Sequence, residues 1–267
     1  MHAVISVRWM FAGTLAMIGG HFLITLGTRL TSAQSTWLYL AGALVSGAVV
    51  GALMVRHAVV RPWREPIFVS VLAMGLLAGA YLVSGFDATR WLVPRTSDVW
   101  LPLAGAAVSC LVGTLGGAML ARRARLEPPR LGTILVTSLL VGVGVYVVIA
   151  LVATMTPGSD VAVAIAVFGG CPLAGFVTQL VVPARQPWAC GAGWFVLVPL
   201  LVVEVETNLG ATATDVVVAT VGGALIAGIL TLAGYLGARL AWWWFPPVVP
   251  DAHPAVAPAR LASRSGG

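Results

Sequence analysis

The chain has 267 residues, of which 59% are hydrophobic and only 9% are charged. A soluble domain carries about 25% charged residues, so the composition excludes an ordinary soluble protein and indicates a membrane protein. The net charge of +6 comes from arginine alone, because the sequence contains no lysine. In a membrane protein such an excess reports topology before it reports a nucleic-acid partner.

Eight apolar runs follow one another along the chain, and a bilayer core needs about 20 apolar residues per helix. The predicted spans lie near residues 9–28, 36–55, 66–84, 99–121, 132–155, 161–183, 188–205 and 216–241. The predicted fold class is therefore all-α, a polytopic membrane protein with eight transmembrane helices. Residues 1–130 form the first predicted transmembrane half (spans one to four) and residues 131–245 the second (spans five to eight). The Pro/Ala/Ser-rich residues 246–267 are predicted to be a disordered cytoplasmic tail.

The arginines predict the orientation of these spans. Twelve of the fifteen fall before span one, at the end of span eight or beyond it, or on the connections that follow the other even-numbered spans. Only three fall on the opposite side. Positively charged connections stay in the cytoplasm. The sequence therefore predicts a multi-pass protein of a bacterial cytoplasmic membrane with both termini in the cytoplasm.

An internal repeat indicates how the spans are organised. Residues 37–46 and 100–109 match at eight of ten positions, and the Leu-Ala-Met sequence of residues 15–17 recurs at residues 72–74. Each repeat unit is a helical hairpin that enters and leaves on the same side. We therefore predict four parallel-repeat hairpins rather than inverted repeats.

Short polar signals precede the even-numbered spans. Ser-Asp or Thr-Asp pairs stand at residues 97–98, 159–160 and 214–215. They could form a ring of carboxylates at an outer mouth, but helix capping is the favoured interpretation. The even spans also carry small residues four apart, such as Gly47 and Gly51, which let helix backbones approach closely in lipid. This pattern predicts that the even helices line the inside of the bundle and that the odd helices lie at its periphery.

Span six contains the first candidate site, at residues 168–172 (Phe-Gly-Gly-Cys-Pro). Gly169 and Gly170 loosen the helix, and Pro172 lacks a backbone N–H. Interrupted helices near the midplane are where transporters bind substrates, although a proline kink healed by neighbouring helices explains the same residues. Gln179 and Thr178 could add hydrogen bonds to a substrate there, or could join helices to one another.

Two further candidates are ionisable. Glu204 ends span seven near the outer boundary, where a carboxylate is either functional or merely hydrated. His21 is the only histidine inside a predicted span. It could relay protons, but a neutral, hydrogen-bonded histidine facing the bundle is the favoured interpretation. The predicted substrate-binding residues are Gly169, Gly170, Pro172, Gln179, Glu204 and His21.

The leading functional hypothesis is a permease-like transporter of an uncharged or lipophilic small molecule. The alternative is a non-catalytic membrane subunit or scaffold of a larger complex. The sequence contains no phosphate-binding loop and its cysteines have no paired spacing, so we expect no enzymatic activity, no cofactor and no metal site. The expected partners are the lipid bilayer and either another membrane protein or further copies of the chain, with no nucleic acid.

Overall fold

The computed structural model describes residues 2–30, 36–57, 64–89, 99–121, 130–155, 160–182, 187–195, 198–199, 202–203, 210 and 212–245. These residues are helical almost throughout and contain no strand, which confirms the all-α fold class. The predicted tail and Glu204 lie outside the described residues.

The helices follow the predicted spans closely. They are α1 (His2–Leu30), α2 (Thr36–His57), α3 (Arg64–Thr89), α4 (Trp100–Ala121), α5 (Leu131–Met155), α6 (Asp160–Val181), a 3₁₀ helix (Pro187–Cys190) and α7 (Ala213–Trp244). The last of these corresponds to the eighth predicted span. Of the seventh predicted span, residues 188–195, 198–199 and 202–203 are described; it begins in the 3₁₀ helix and a turn, and residues 193–195, 198–199 and 202–203 are α-helical.

Six of the described helices are long and apolar enough to cross a membrane, namely α1, α2, α3, α4, α5 and α7. In α6 the apolar stretch found among the described residues is shorter, Gly169–Val181. The number of predicted spans is thus supported for six of eight.

The start of α7 shows how a polar signal begins an apolar helix. Thr212 is the N-cap, and its hydroxyl accepts a hydrogen bond from the backbone N–H of Asp215, while the Asp215 carboxylate accepts one from the backbone N–H of Thr212. This reciprocal capping box satisfies two N–H groups that a helix start leaves unpaired. Helix capping, the favoured interpretation of the acidic signal, is confirmed at Asp215, although the capping hydroxyl belongs to Thr212 rather than Thr214.

Helices α1 and α5 occupy the centre of the bundle, so the prediction that the even-numbered spans line the inside is wrong. In the apolar stretches of α1 and α5, 72% and 56% of the residues are buried, against 17% in α7, which is the eighth predicted span; α3 and α4 are equal at 39%. The physical reason is that small residues pair the even helices with each other. The outer faces of those pairs carry large apolar side chains such as Leu101 and Leu225, which are exposed.

Glycines set the closest helix contacts. A β-carbon at Gly47 or Gly51 of α2 would meet a backbone carbonyl of α4, and one at Gly113 or Gly117 of α4 would meet a backbone carbonyl of α2. The α6–α7 and α1–α5 contacts are built in the same way. Such approaches are typical of helices packed in lipid, where close van der Waals contact replaces the hydrophobic effect as the driving force.

The beginning of α1 and the end of α7 lie on the same side of the bundle. The guanidinium of Arg8 sits 4.9 Å from the ring centroid of Phe245, and that ring also contacts Phe176 of α6. A cation over an aromatic face is attracted by the ring quadrupole.

Candidate functional site

The interrupted segment predicted in span six lies in a helix that continues through it. Helix α6 continues through Pro172 without a break. Gly170 is buried against α5, whereas Gly169 is exposed with open space around it. The backbone carbonyl of Pro172 lies against Gly237 of α7. This segment therefore takes part in helix–helix contacts, and its role in substrate binding stays a prediction.

Gln179 is buried and lies two turns beyond Pro172, about 10 Å along the helix axis. Its Oε1 accepts a hydrogen bond from the Sγ of Cys190 at 3.2 Å. The neighbouring Thr178 donates to the backbone carbonyl of Ala174 at 2.8 Å. These two hydrogen bonds lie within α6 and between α6 and the 3₁₀ helix that follows it.

Ser138 fixes that 3₁₀ helix to α5. Its hydroxyl donates to the backbone carbonyl of Cys190 at 2.7 Å and accepts from the backbone N–H of Gly193 at 3.2 Å. One side chain therefore satisfies both a turn carbonyl and an N–H of the helical segment after the turn. Together with the contact between Cys190 and Gln179, it joins α5, α6 and the turn, so Gln179 belongs to a connecting network.

His21 is fully buried in α1. Its Nε2 lies 3.1 Å from the Sδ of Met74 on α3, and its ring lies 5.7 Å from that of Tyr39 on α2. The Nδ1 atom has no hydrogen-bond partner among the described residues. The expected hydrogen-bonded histidine is therefore found at one nitrogen only, and there its neighbour is a thioether sulfur.

A second sulfur contact lies one helical turn from His21. The Sγ of Cys110 on α4 donates to the Sδ of Met17 on α1 at 2.9 Å. Met17 and His21 are four residues apart, so they lie on the same face of α1. No site was predicted from the sequence at these sulfur atoms. The only signal was the recurring Leu-Ala-Met sequence, which places Met17 and Met74 at equivalent positions.

A third polar group lies where α1, α2 and α5 meet. A β-carbon at Gly20 would meet the hydroxyl of Ser46 and would contact the side chain of Leu140. The Ser46 hydroxyl is buried and has no hydrogen-bond partner among the described residues. His21 follows Gly20 in α1 but contacts α2 and α3, so its Nδ1 and the Ser46 hydroxyl are approached by neighbouring residues of α1 that point in different directions.

Most of the remaining buried hydroxyls donate to a backbone carbonyl of their own helix. Thr14, Thr25 and Thr114 each donate to the backbone carbonyl four residues earlier, a bond that hides a hydroxyl inside a helix. None of the buried polar side chains in the described part of the chain belongs to Asp, Glu, Lys or Arg. The fully buried side chains of the described residues therefore offer hydrogen bonds and sulfur atoms but no formal charge, and the carboxylate of Glu65, in the first turn of α3, is partly buried.

The predicted site residues do not form one described cluster. His21 contacts α2 and α3, Gly170 and Pro172 lie against α5 and α7, and Gln179 accepts a hydrogen bond from Cys190. No group of three or more His, Cys, Asp or Glu side chains that could hold a metal occurs in the part of the chain that the structure describes.

The fold and the uncharged buried side chains are compatible with a multi-pass membrane protein that lies in a lipid bilayer. Comparison of the chain with protein-family models, with curated proteins and with solved structures finds no match.

Proposed function

We propose that this protein is a permease-like transporter of an uncharged or lipophilic small molecule in a bacterial cytoplasmic membrane. Both termini lie in the cytoplasm in this proposal, as the arginine distribution predicts. The contact between Arg8 and Phe245 supports it, because it places the beginning of α1 and the end of α7 on one side. The role is non-enzymatic.

The observation that carries the proposal is the reciprocity of the glycine contacts. Gly47 faces the carbonyl three residues before Gly113, and Gly113 faces the carbonyl three residues before Gly47. Gly175 of α6 and Gly237 of α7 face each other's helices with the same spacing. The α2–α4 pair and the α6–α7 pair thus use one packing mode. This supports two related halves built from parallel hairpins.

The contact between these halves is reciprocal as well. Gly19 of α1 faces the carbonyl of Leu140, four residues before Gly144, and Gly144 of α5 faces the carbonyl of Leu15, four residues before Gly19. A pseudo-two-fold axis through this contact would relate the halves. Transporters built from parallel repeats move such halves against each other about a site between them. The α1–α5 contact is therefore the proposed pivot.

The proposed substrate site lies along α1 next to that pivot, where the Ser46 hydroxyl and Nδ1 of His21 have no hydrogen-bond partner among the described residues. A buried polar atom without a partner costs about 1–3 kcal/mol, so a ligand that supplies a donor and an acceptor gains binding energy there. Since the fully buried side chains of the described residues carry no formal charge, a charged substrate would find no counter-ion among them. An uncharged molecule with one or two polar groups fits these conditions.

A non-catalytic subunit is the second candidate, and one observation favours it. Helix α7 exposes apolar side chains along its length, including Val218, Ile229 and Leu236. Such a face could contact a partner protein, although lipid covers it equally well.

Distance measurements between spin labels in nanodiscs test the two candidates. Labels at Leu101 and Val217 report the ends where α4 and α7 begin, and labels at Leu120 and Trp243 report the ends where they finish. All four side chains are exposed, whereas the native cysteines are buried and react slowly. Labels at Leu38 and Leu101, within the glycine-packed α2–α4 pair, are the control.

A transporter gives two distance populations for each cross-half pair, with one end closing as the other opens, and a single population for the control. Addition of a transported compound shifts the balance between the two populations. A single narrow population for both cross-half pairs, in every lipid composition and with every compound screened, contradicts transport and supports the subunit.

A further inference from the structure

We propose that Met17, His21, Met74 and Cys110 form a binding site for a soft monovalent metal ion, Cu(I) or its analogue Ag(I), inside the first half of the bundle. The proposal does not depend on transport. It rests on four donor atoms that three separate helices bring together.

The donors meet as two close pairs. Nε2 of His21 lies 3.1 Å from Sδ of Met74, and Sγ of Cys110 lies 2.9 Å from Sδ of Met17. Three of the side chains are fully buried and Met74 is 6% exposed. Four donor atoms in two close pairs, shielded from water, are more specific than an isolated cysteine.

The α3–α4 contact brings the two pairs to the same level. The hydroxyl of Ser70 on α3 donates to the hydroxyl of Thr114 on α4 at 2.9 Å. Met74 lies one turn after Ser70, and Cys110 lies one turn before Thr114. Because α3 and α4 are consecutive helices of an antiparallel hairpin, these one-turn steps bring Met74 and Cys110 to neighbouring positions. Met17 and His21 complete the set from a single face of α1.

The donor types select the metal. Thioether and thiolate sulfur are ligands for Cu(I), and imidazole suits copper as well. Divalent metals such as Zn²⁺ prefer Cys, His and carboxylate ligands, and the described residues hold no group of three of these. A site with two methionines therefore favours the softer, monovalent ion.

The charge balance favours the same ion. On binding, the Cys110 thiol releases its proton to solvent and the thiolate bonds to the metal, so one positive and one negative charge cancel. A divalent ion in the same place would leave a net positive charge in an apolar bundle, which is costly. Binding at Nε2 of His21 places the remaining ring proton on Nδ1, the atom that has no partner among the described residues.

Titration of the purified full-length protein with Ag(I), which is redox-inert, tests the proposal. Native mass spectrometry counts the bound ions, and competition with a chromophoric Cu(I) chelator gives the affinity for Cu(I). The expected result is one high-affinity ion per chain, with X-ray absorption of the Cu(I) form giving a mixed sulfur and nitrogen shell.

Matched variants separate this site from general thiol binding. Met17→Leu and Met74→Leu each weaken binding tenfold or more, and Cys110→Ser abolishes the high-affinity ion. Met54→Leu and Cys171→Ser, which alter equally buried side chains elsewhere, leave it unchanged. Leucine is close to methionine in volume, so thermal unfolding of the two methionine variants stays near that of the native protein.

Two results would overturn the proposal. One is the absence of a high-affinity ion in the native protein. The other is native-like binding by Met17→Leu and Met74→Leu, which would assign the metal to thiols alone. Neither result depends on the spin-label distances, so the metal site and the transport proposal stand or fall separately.

Discussion

A single methyl group added to α4 tests the helix contacts from which the architecture is inferred. Gly116 and Gly117 are adjacent on that helix. A β-carbon at Gly117 would lie against the backbone carbonyl of Ala48 on α2, whereas one at Gly116 would meet nothing within 4 Å. Alanine at the two positions therefore makes the same chemical change with opposite expected consequences.

The magnitudes follow from the geometry. In Gly116→Ala the methyl group enters open space, and the better helix propensity of alanine stabilises the protein by up to about 1 kcal/mol. In Gly117→Ala the methyl group meets backbone, which cannot rotate away as a side chain does, so α2 and α4 must separate. Overpacking of this kind costs about 1–3 kcal/mol. Both variants gain the same helix propensity, so their free energies of unfolding should differ by the overpacking cost, about 1–3 kcal/mol.

Thermal unfolding in detergent, followed by circular dichroism and by loss of the monodisperse chromatographic peak, measures the difference. For a chain of this size we expect Gly117→Ala to unfold about 2 °C or more below Gly116→Ala. Equal transition temperatures for the two variants would refute the close approach of α2 and α4. A lower transition for Gly116→Ala than for Gly117→Ala would place the opposite face of α4 in the contact.

Three further changes probe other parts of the chain. Cysteine at Ala88 should react with an impermeant thiol reagent added outside the cell and cysteine at Ala124 should not, as the arginine distribution requires; the reverse labelling would invert the predicted orientation. Thr212→Ala should destabilise the start of α7 by about 1 kcal/mol, measured by hydrogen exchange of its first turn, and equal protection in the variant and the native protein would deny the capping box. Ser138→Ala leaves the carbonyl of Cys190 and the N–H of Gly193 without their side-chain partner. The free energy of unfolding should therefore fall by about 1–3 kcal/mol. Unchanged thermal unfolding would mean that water or another group replaces the hydroxyl.

The sequence predicted the helices well because their signal is local. A run of about 20 apolar residues is sufficient to predict a span, and six such helices are found among the described residues. Small residues four apart also predicted that helix backbones approach closely, as they do at Gly47 and Gly113. They did not predict which helices lie at the centre. Every helix in a membrane protein is apolar on all sides, so hydrophobic periodicity does not distinguish the lipid-facing side from the buried one.

The polar contacts were less predictable, because they join residues far apart in the sequence. His21 and Met74 are separated by 53 positions and Met17 and Cys110 by 93. Each methionine alone looks like ordinary core, and a lone cysteine carries no spacing signal. Only the packing of α1, α3 and α4 reveals that these four side chains form two close pairs.

Pro172 illustrates the converse case, in which a strong local signal has an ordinary structural use. Its missing N–H leaves the carbonyl of Phe168 without its usual helical partner, and this is what suggested a broken helix. In the structure α6 continues through the proline, and the carbonyl of Pro172 itself lies against Gly237. Gly175, one turn further on, lies against the carbonyl of Gly234. Pro172 and Gly175 of α6 thus face α7 at the same spacing that joins α2 to α4, and Gly170 packs against α5, so helix contacts account for these three residues, whereas Gly169 has open space around it. Among the described residues, Nδ1 of His21 and the hydroxyls of Ser46 and Thr231 are buried without a hydrogen-bond partner, and the first two, which lie along α1, are where a search for a transported substrate begins most usefully.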